Sequence, residues 1–360
     1  MSPAGRRPVE PLRAQQGVAP LAAAQASTAA CLAGLLQDGA RWDAEYAGSL
    51  SNHLPMALVA LYRLGARAER LLAYASHYTQ RLHPAPPIEP WPAGQAWRPP
   101  LGDPAAWPAY RSLFRQWLAA EGAATMLQQA LPHLLPGCGA AAFHGLIRTA
   151  YALESLQAGE LADALAYWSC RWLDLGRAPP APGRMVSDPA RQLGALLALP
   201  TPDGDLIVHR MQAAAIEPGF DAAVAGLALD ENTLERLARG AAQRYARSGN
   251  FTVLHLVTSA HALRLLLPFI DEPRPALAAY WRAYAAGVVA SHAVSGRAAS
   301  VLPWPELAAA ACASDDDHLV KLVDACRQEQ QAYGGAADWQ RAASRAVLDA
   351  RARGGATRPG

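Results

Sequence analysis

A chain of 360 residues, 52% hydrophobic and 17% charged, can bury one large core or two smaller ones, which excludes a disordered tail or a disulfide-stapled miniature. The formal net charge is +2 and no run of five like charges occurs, so DNA, RNA and anionic membranes find no electrostatic footprint. Five cysteines, odd in number and without a C-x-x-C spacing, argue against a disulfide framework or thiolate zinc site and fit the reducing cytoplasm.

Residues 1–21 read as a mobile N-terminal tail, because Pro20, Gln25, Ser27 and Thr28 interrupt its alanine-rich stretch before a signal-peptide core forms. Beyond it, alanine and leucine dominate, and apolar residues recur at three- and four-residue spacing between prolines. This spacing predicts helices over 22–37, 53–82, 109–131, 140–156, 158–175, 189–199, 205–216, 232–247, 250–267, 274–293, 304–313, 315–333 and 337–353. Two proline-rich stretches break the series: 84–108, with nine prolines and Trp91, Trp97 and Trp107, and 177–189, with Pro179, Pro180, Pro182 and Pro189. The first is too aromatic for a free interdomain linker and is expected to lie against the helical body, with His83 at a pocket entrance. No apolar run reaches the roughly 18 residues of a membrane span. The expected fold is all-α: a single large helical domain over 22–352 with proline-rich packed loops, followed by a disordered tail over 353–360.

Gly137-Cys138-Gly139-Ala140-Ala141-Ala142 fits the loose dinucleotide pattern G-x-G-x-x-A, but Pro132 and Pro136 forbid the strand that must precede it. It reads instead as a loop leading into the helix of His144. No P-loop, G-x-S-x-G or H-E-x-x-H motif occurs, so no binding motif for NADPH is present.

Chemistry concentrates in the histidines. His53 follows Ser51 and Asn52, either of which can cap a helix, and a helix N-terminus keeps an imidazole neutral. His144, Arg148 and Tyr151 share a polar stripe with Glu154 beside it. His255 and Thr258 lie in a run too hydrophobic for a surface helix, and His261 is rotated about 120° from His255. Ser314 and Asp317 form a capping box that sets His318 and Lys321 on one face. Taken singly, each histidine reads as an ordinary core or surface residue; four in apolar helices beside the only lysine read as a site for iron, zinc, copper or nickel. Of 32 basic residues 31 are arginine, and Lys321 stands alone. Buried, its ammonium must lose a proton, and the neutral amine can take up carbon dioxide as a carbamate, an oxygen donor arginine cannot imitate.

At these residues the chain resembles the questin oxidase family, from Trp42 to about Lys321. The resemblance rests on Asn52-His53-Leu54 with Ala57 to Tyr62 and Leu64-Gly65-Ala66, on Phe143 to Glu154, on Leu254 to Ser259, and on His318-Leu319-Val320-Lys321. It implies an oxidoreductase: fungal relatives open an anthraquinone ring by oxygen insertion in aromatic polyketide secondary metabolism, some with a reduced nicotinamide nucleotide. It also implies a non-haem metal oxygenase using Fe(II) or another divalent metal, with His53, His144, His255, His318 and a carboxylated Lys321 as ligands. Arg148 and Tyr151 would then orient a small hydrophobic aromatic substrate and dioxygen. Glu154, Thr258 and, more weakly, His261 would support the ligands from behind.

The competing reading is a metal-free, all-helical binding protein for a hydrophobic ligand or protein partner, with the histidines as core residues and Lys321 at the surface. The oligomeric state is left open by the sequence. The two readings separate on geometry: a metal site requires the ring nitrogens of His53, His144, His255 and His318 to converge within a few ångströms.

Overall fold

The computed structural model describes residues 18–177, 185–294, 296–335 and 337–356. Of the tail expected over 1–21, residues 1–17 lie outside the described residues while 18–21 open a helix; of that expected over 353–360, residues 353–356 continue the last helix and 357–360 lie outside, as do the prolines at 179, 180 and 182. Helix α1 spans Val18–Gly39, and a hairpin follows, β1 (Glu45–Tyr46) against β2 (Leu50–Ser51). Then come α2 (Leu54–Leu64), α3 (Ala68–Tyr78), α4 (Trp107–Leu134), α5 (His144–Ser155) and α6 (Ala158–Arg171). The middle of the chain forms α7 (Pro189–Leu197), α8 (Ile207–Ala215), α9 (Phe220–Ala225), α10 (Thr233–Ser248) and α11 (Phe251–Leu266). The last part holds α12 (Pro273–Ala290), α13 (Trp304–Ala313), α14 (Asp317–Tyr333) and α15 (Asp338–Ala356). The fold is all-α, with that short hairpin as its only sheet among the described residues.

At its centre, α2 neighbours α5 and α14, and α11 neighbours the same two helices, which closes a ring of four. The four run in the same direction. His53, His144, His255 and His318, all near helix N-termini, gather at one end, whereas Arg63, Tyr151, His261 and Asp324, two to three turns further on, meet again below them. Parallel neighbours cannot be joined by short loops, so every connection within the ring is a long crossover. The first carries α3, the proline-rich segment and α4; the second α6 to α10; the third α12 and α13. Around the ring, α6 packs on α4 and α5, α10 on α11 and α15, and α12 on α8. One hydrophobic cluster runs through all of it. The stretch Phe251–Phe269 is apolar and long enough to cross a bilayer, but 72% of it is buried among these helices.

The segment over 84–108 packs as expected. Trp97 sits edge-on to Phe114 and Trp117, Trp91 lies against Tyr110, and Trp107 is buried.

Several element boundaries differ from the pattern-based ones for local reasons. The helix expected over 53–82 is two, because Gly65 takes a left-handed conformation (φ 99°) whose N–H closes onto the Leu61 and Tyr62 carbonyls. The helix expected over 109–131 runs through to Leu134 with a break at Gly122, and the short α9 was not foreseen. Most consequential is the start of α5. Instead of a helix from residue 140, Ala141, Ala142 and Phe143 form a left-handed turn (φ 46°, 55° and 70°) and α5 begins at His144. Left-handed conformation costs a residue with a Cβ about 1–2 kcal/mol, so this turn is held by its surroundings. The buried Phe143 ring packs near Tyr280, and α5 lies so close to α6 that a Cβ on Gly145 would fall 2.7 Å from the Trp168 ring.

This conformation makes an unusual substitution favourable. Ala142→Gly, which would cost about 1 kcal/mol in an ordinary helix, should leave stability unchanged or raise it by up to about 1 kcal/mol. Urea unfolding of the two proteins checks the sign.

Candidate metal centre

Local structure delivers each histidine separately. The hairpin brings the chain to Asn52, whose N–H donates to the Ala44 carbonyl and whose Oδ1 accepts from Leu54 N, so α2 starts with His53 fixed at its mouth. The His53 N–H donates to the Tyr78 hydroxyl from α3. The left-handed turn aims His144 and bends the Ala141 carbonyl back onto its ring. Asn250 caps α11 by accepting from Thr252 N and Val253 N, one turn before His255. Asp316, not the expected Ser314 and Asp317 pair, caps α14 by accepting from His318 N and Leu319 N. Only one carboxylate is needed for that cap, and Asp317 is left for other use.

The rings converge. Centroids of His53 and His144 are 4.6 Å apart and stacked, His53 and His318 4.6 Å, His144 and His255 4.9 Å, and His255 and His318 5.3 Å. Potential ligand atoms of His53, His144 and His318 lie within 4.8 Å of one another. Each Nδ1 faces an oxygen that can only accept: His53 Nδ1 donates to Asp317 Oδ1 (3.0 Å), and His318 Nδ1 lies 2.5 Å from the same oxygen. His144 Nδ1 donates to the Ala141 carbonyl (2.5 Å) and His255 Nδ1 to the Phe251 carbonyl (2.9 Å). The proton therefore sits on Nδ1 of His53, His144 and His255, and the Nε2 of each of these presents a lone pair. His53 Nε2 and His144 Nε2 stand 2.8 Å apart, while His255 Nε2 and His318 Nε2 are buried without a partner. Facing lone pairs repel, and buried acceptors without donors are costly. A divalent cation shared by His53, His144 and His318 removes the repulsion between them, so those three donors fit a metal, whereas His255 lies outside that close group.

The electrostatics keep His53, His144 and His255 neutral. Burial, then the Lys321 charge, lowers the His53 pKa to about 3, against a partial rise from Asp317. Burial and the neighbouring imidazoles hold His144 and His255 well below the usual value. Burial works against ionisation of Asp317, but the His53 and His318 rings beside it hold the carboxyl below the carboxylate range. Lys321 is buried, with no carboxylate within ion-pair distance among the described residues, and burial brings its pKa to about 8 despite Asp317 and Asp316.

The remaining sequence candidates lie elsewhere. Arg148 commits Nε and Nη2 to Glu160 (2.7 and 2.9 Å), which leaves only Nη1, buried without a partner, for any other group. The Tyr151 hydroxyl donates to Asp324 Oδ2 (3.1 Å) and the Lys321 carbonyl (3.3 Å), so it steadies the lysine backbone. Glu154 pairs with Arg63 and meets no imidazole. Thr258 donates to the Leu254 and His255 carbonyls within its own helix. His261 belongs to the lower layer, donating to Glu329 Oε1 (2.7 Å). Asp317 was missed; three consecutive aspartates before a histidine, with one cap to fill, were its only signal. His83 does line a cleft, of about 400 Å³, together with Tyr46, Trp107, Tyr167 and Arg171. A larger one of about 1020 Å³ lies by Trp172, Trp281 and Arg282. The four imidazoles line neither.

A family model described as questin oxidase-like matches residues 50–195 and 228–326. The two matched segments hold all four histidines of the cluster, Asp317 and Lys321. No curated protein matches the chain.

Two measurements follow from the geometry. Because the folded-state pKa values of the three histidines lie below the ordinary 6.5, the unfolded chain binds more protons beneath that pH. Stability of the metal-free protein should thus fall as pH drops below about 6.5, by about 1.4 kcal/mol per pH unit for each ring that stays neutral. Lowered Asp317 adds to the loss in the same direction at more acid pH. Denaturant titrations from pH 7 to about 5 read the slope. Second, Asp317→Ala leaves two Nδ1 protons without acceptors and should weaken divalent-metal affinity about 10–100-fold, measured by competition against a coloured chelator.

Proposed function

Since the chain belongs to the questin oxidase-like family, we propose that it is an oxidoreductase of the non-haem iron oxygenase type. It would act in secondary metabolism on an aromatic, quinone-type polyketide or related hydrophobic substrate, by oxygen insertion or ring cleavage. A reducing cytoplasm suits its five unpaired cysteines. His53, His144, His255 and His318 would hold Fe(II), or another divalent metal, through Nε2, and Lys321 would complete the set. The observation that supports this above the rest is the Nδ1 lock: His53, His144 and His255 are each tied through Nδ1 to an acceptor behind the ring, and His318 Nδ1 lies against the same Asp317 oxygen as His53. Bound iron supplies the activation of dioxygen, which no side chain of this protein can provide.

The protein's own residues do the rest. Asp317 and the Ala141 and Phe251 carbonyls fix ring orientation and tautomer, so no reorganisation is required when a ligand arrives. Lys321 carries an amine that burial has partly neutralised. Its attack on carbon dioxide forms one N–C bond, releases one proton and yields an anionic oxygen donor. Arg148 Nη1 keeps both of its N–H donors free of Glu160.

Protein purified without chelator and loaded anaerobically with Fe(II) should retain close to one equivalent and consume dioxygen with hydroxylated quinones, assayed with and without NADPH. Lys321→Arg, whose guanidinium forms no carbamate, should bind iron at least about tenfold more weakly and lose oxygen uptake. Wild-type protein without stoichiometric metal would overturn the reading.

A further inference from the structure

The Nε2 atoms of His255 and His318 are buried and without a partner, so whatever reaches them must displace a side chain. His53, His144 and His255 are each less than a tenth exposed, and the cluster approaches solvent only at His318, whose side chain is 20% exposed. One ring lies against both orphaned imidazoles there: Phe251, 4.6 Å from His318 and 4.9 Å from His255 between centroids. It is also the only exposed phenylalanine of the five, at 54%, whereas Phe114, Phe143 and Phe220 are buried and Phe269 is half-buried.

Its place in α11 gives it freedom. Phe251 is the first residue of the helix, so no preceding turn restricts χ1, and its ring can swing between rotamers. The swing leaves the cluster intact, because Phe251 orients His255 through its backbone carbonyl and Asn250 caps the helix with its own side chain. Nothing about helix initiation calls for an aromatic residue at this position. An apolar ring kept half in water, edge-on to His255 and tilted against His318, whose Nε2 atoms lack partners, is placed to meet another flat apolar surface.

We propose that Phe251 is the movable cover of the four-histidine centre and the stacking platform that selects a flat aromatic substrate. This inference rests on the metal-centre reading and adds to it the direction of access, from the N-terminal end of α11 past His318.

The test uses the full chain loaded with Co(II), whose visible absorption reports occupancy. EDTA strips the metal from wild type, Phe251→Ala and Phe251→Tyr, with and without anthraquinone sulfonate, a flat quinone that does not chelate. All three proteins keep the residue 251 carbonyl, so ring orientation is preserved. Phe251→Ala should lose Co(II) severalfold faster than wild type, and Phe251→Tyr should retain the wild-type rate. Anthraquinone sulfonate should slow stripping of wild type and Phe251→Tyr, and protection of Phe251→Ala should need about three- to tenfold more of it, the equivalent of one lost aromatic contact. Equal stripping rates, or equal protection in the alanine variant, overturn the proposal while leaving the metal centre standing. Wild type that fails to hold Co(II) at all overturns the metal-centre reading, and this one with it.

Discussion

Three imidazoles of the cluster give their Nδ1 proton to an oxygen that can only accept, the fourth, His318, lies against one of those oxygens, and much of the fold can be traced outward from that constraint. Two of the acceptors are backbone carbonyls, which fixes the local conformation: a left-handed turn to bring Ala141 onto His144, and a helix starting at Phe251 for its carbonyl to reach His255 one turn later. The third, Asp317, serves two rings from two helices and so ties the start of α14 to the start of α2. For the four N-terminal ends to meet, the helices have to be parallel, and parallel helices have to be joined by crossovers. The outer shell of α3, α4, α6 to α10, α12 and α13 is made of those crossovers.

The same arrangement sets the electrostatic character of the centre. Four helix N-termini converge, each contributing roughly half a positive charge of dipole. That field disfavours imidazolium and ammonium and favours anions, in line with the lowered pKa values of His53 and Lys321 and the ionised Asp317. Imidazoles alone around a divalent ion would leave it short of negative charge in such a field. A carbamate on Lys321, together with Asp317 behind the rings, would make up that deficit more effectively than a further neutral ligand. An arginine would worsen it.

Sequence made the helices, the four histidines and the solitary lysine legible, because apolar periodicity and residue type are local properties. Partner choice was not. Arg148 and Tyr151 fall on the His144 stripe by spacing, yet Glu160 and Asp324, on neighbouring helices, take up their polar atoms. Glu154 and Thr258, expected to support the imidazoles, are held by Arg63 and by backbone carbonyls instead. Asp317 reads as a helix cap until the structure shows its neighbour Asp316 doing the capping. The left-handed turn was hidden by its composition, since Ala140, Ala141 and Ala142 are strong helix formers and only tertiary packing overrides them.

The parallel ring has a temporal consequence. His53 and His144 are 91 residues apart, and His53 and Asp317 are 264 apart, so the centre is assembled from distant stretches of chain and closes late. As the polypeptide leaves the ribosome, α2 and α5 emerge with half of the cluster, and neither α11 nor α14 exists to complete it. Asp317, which orients His53, is among the last of these residues to be made. A chain truncated before α14 thus has at most three of the four imidazoles and lacks the Asp317 that orients His53. The geometry of the candidate centre is confined by topology to chains long enough to include α14.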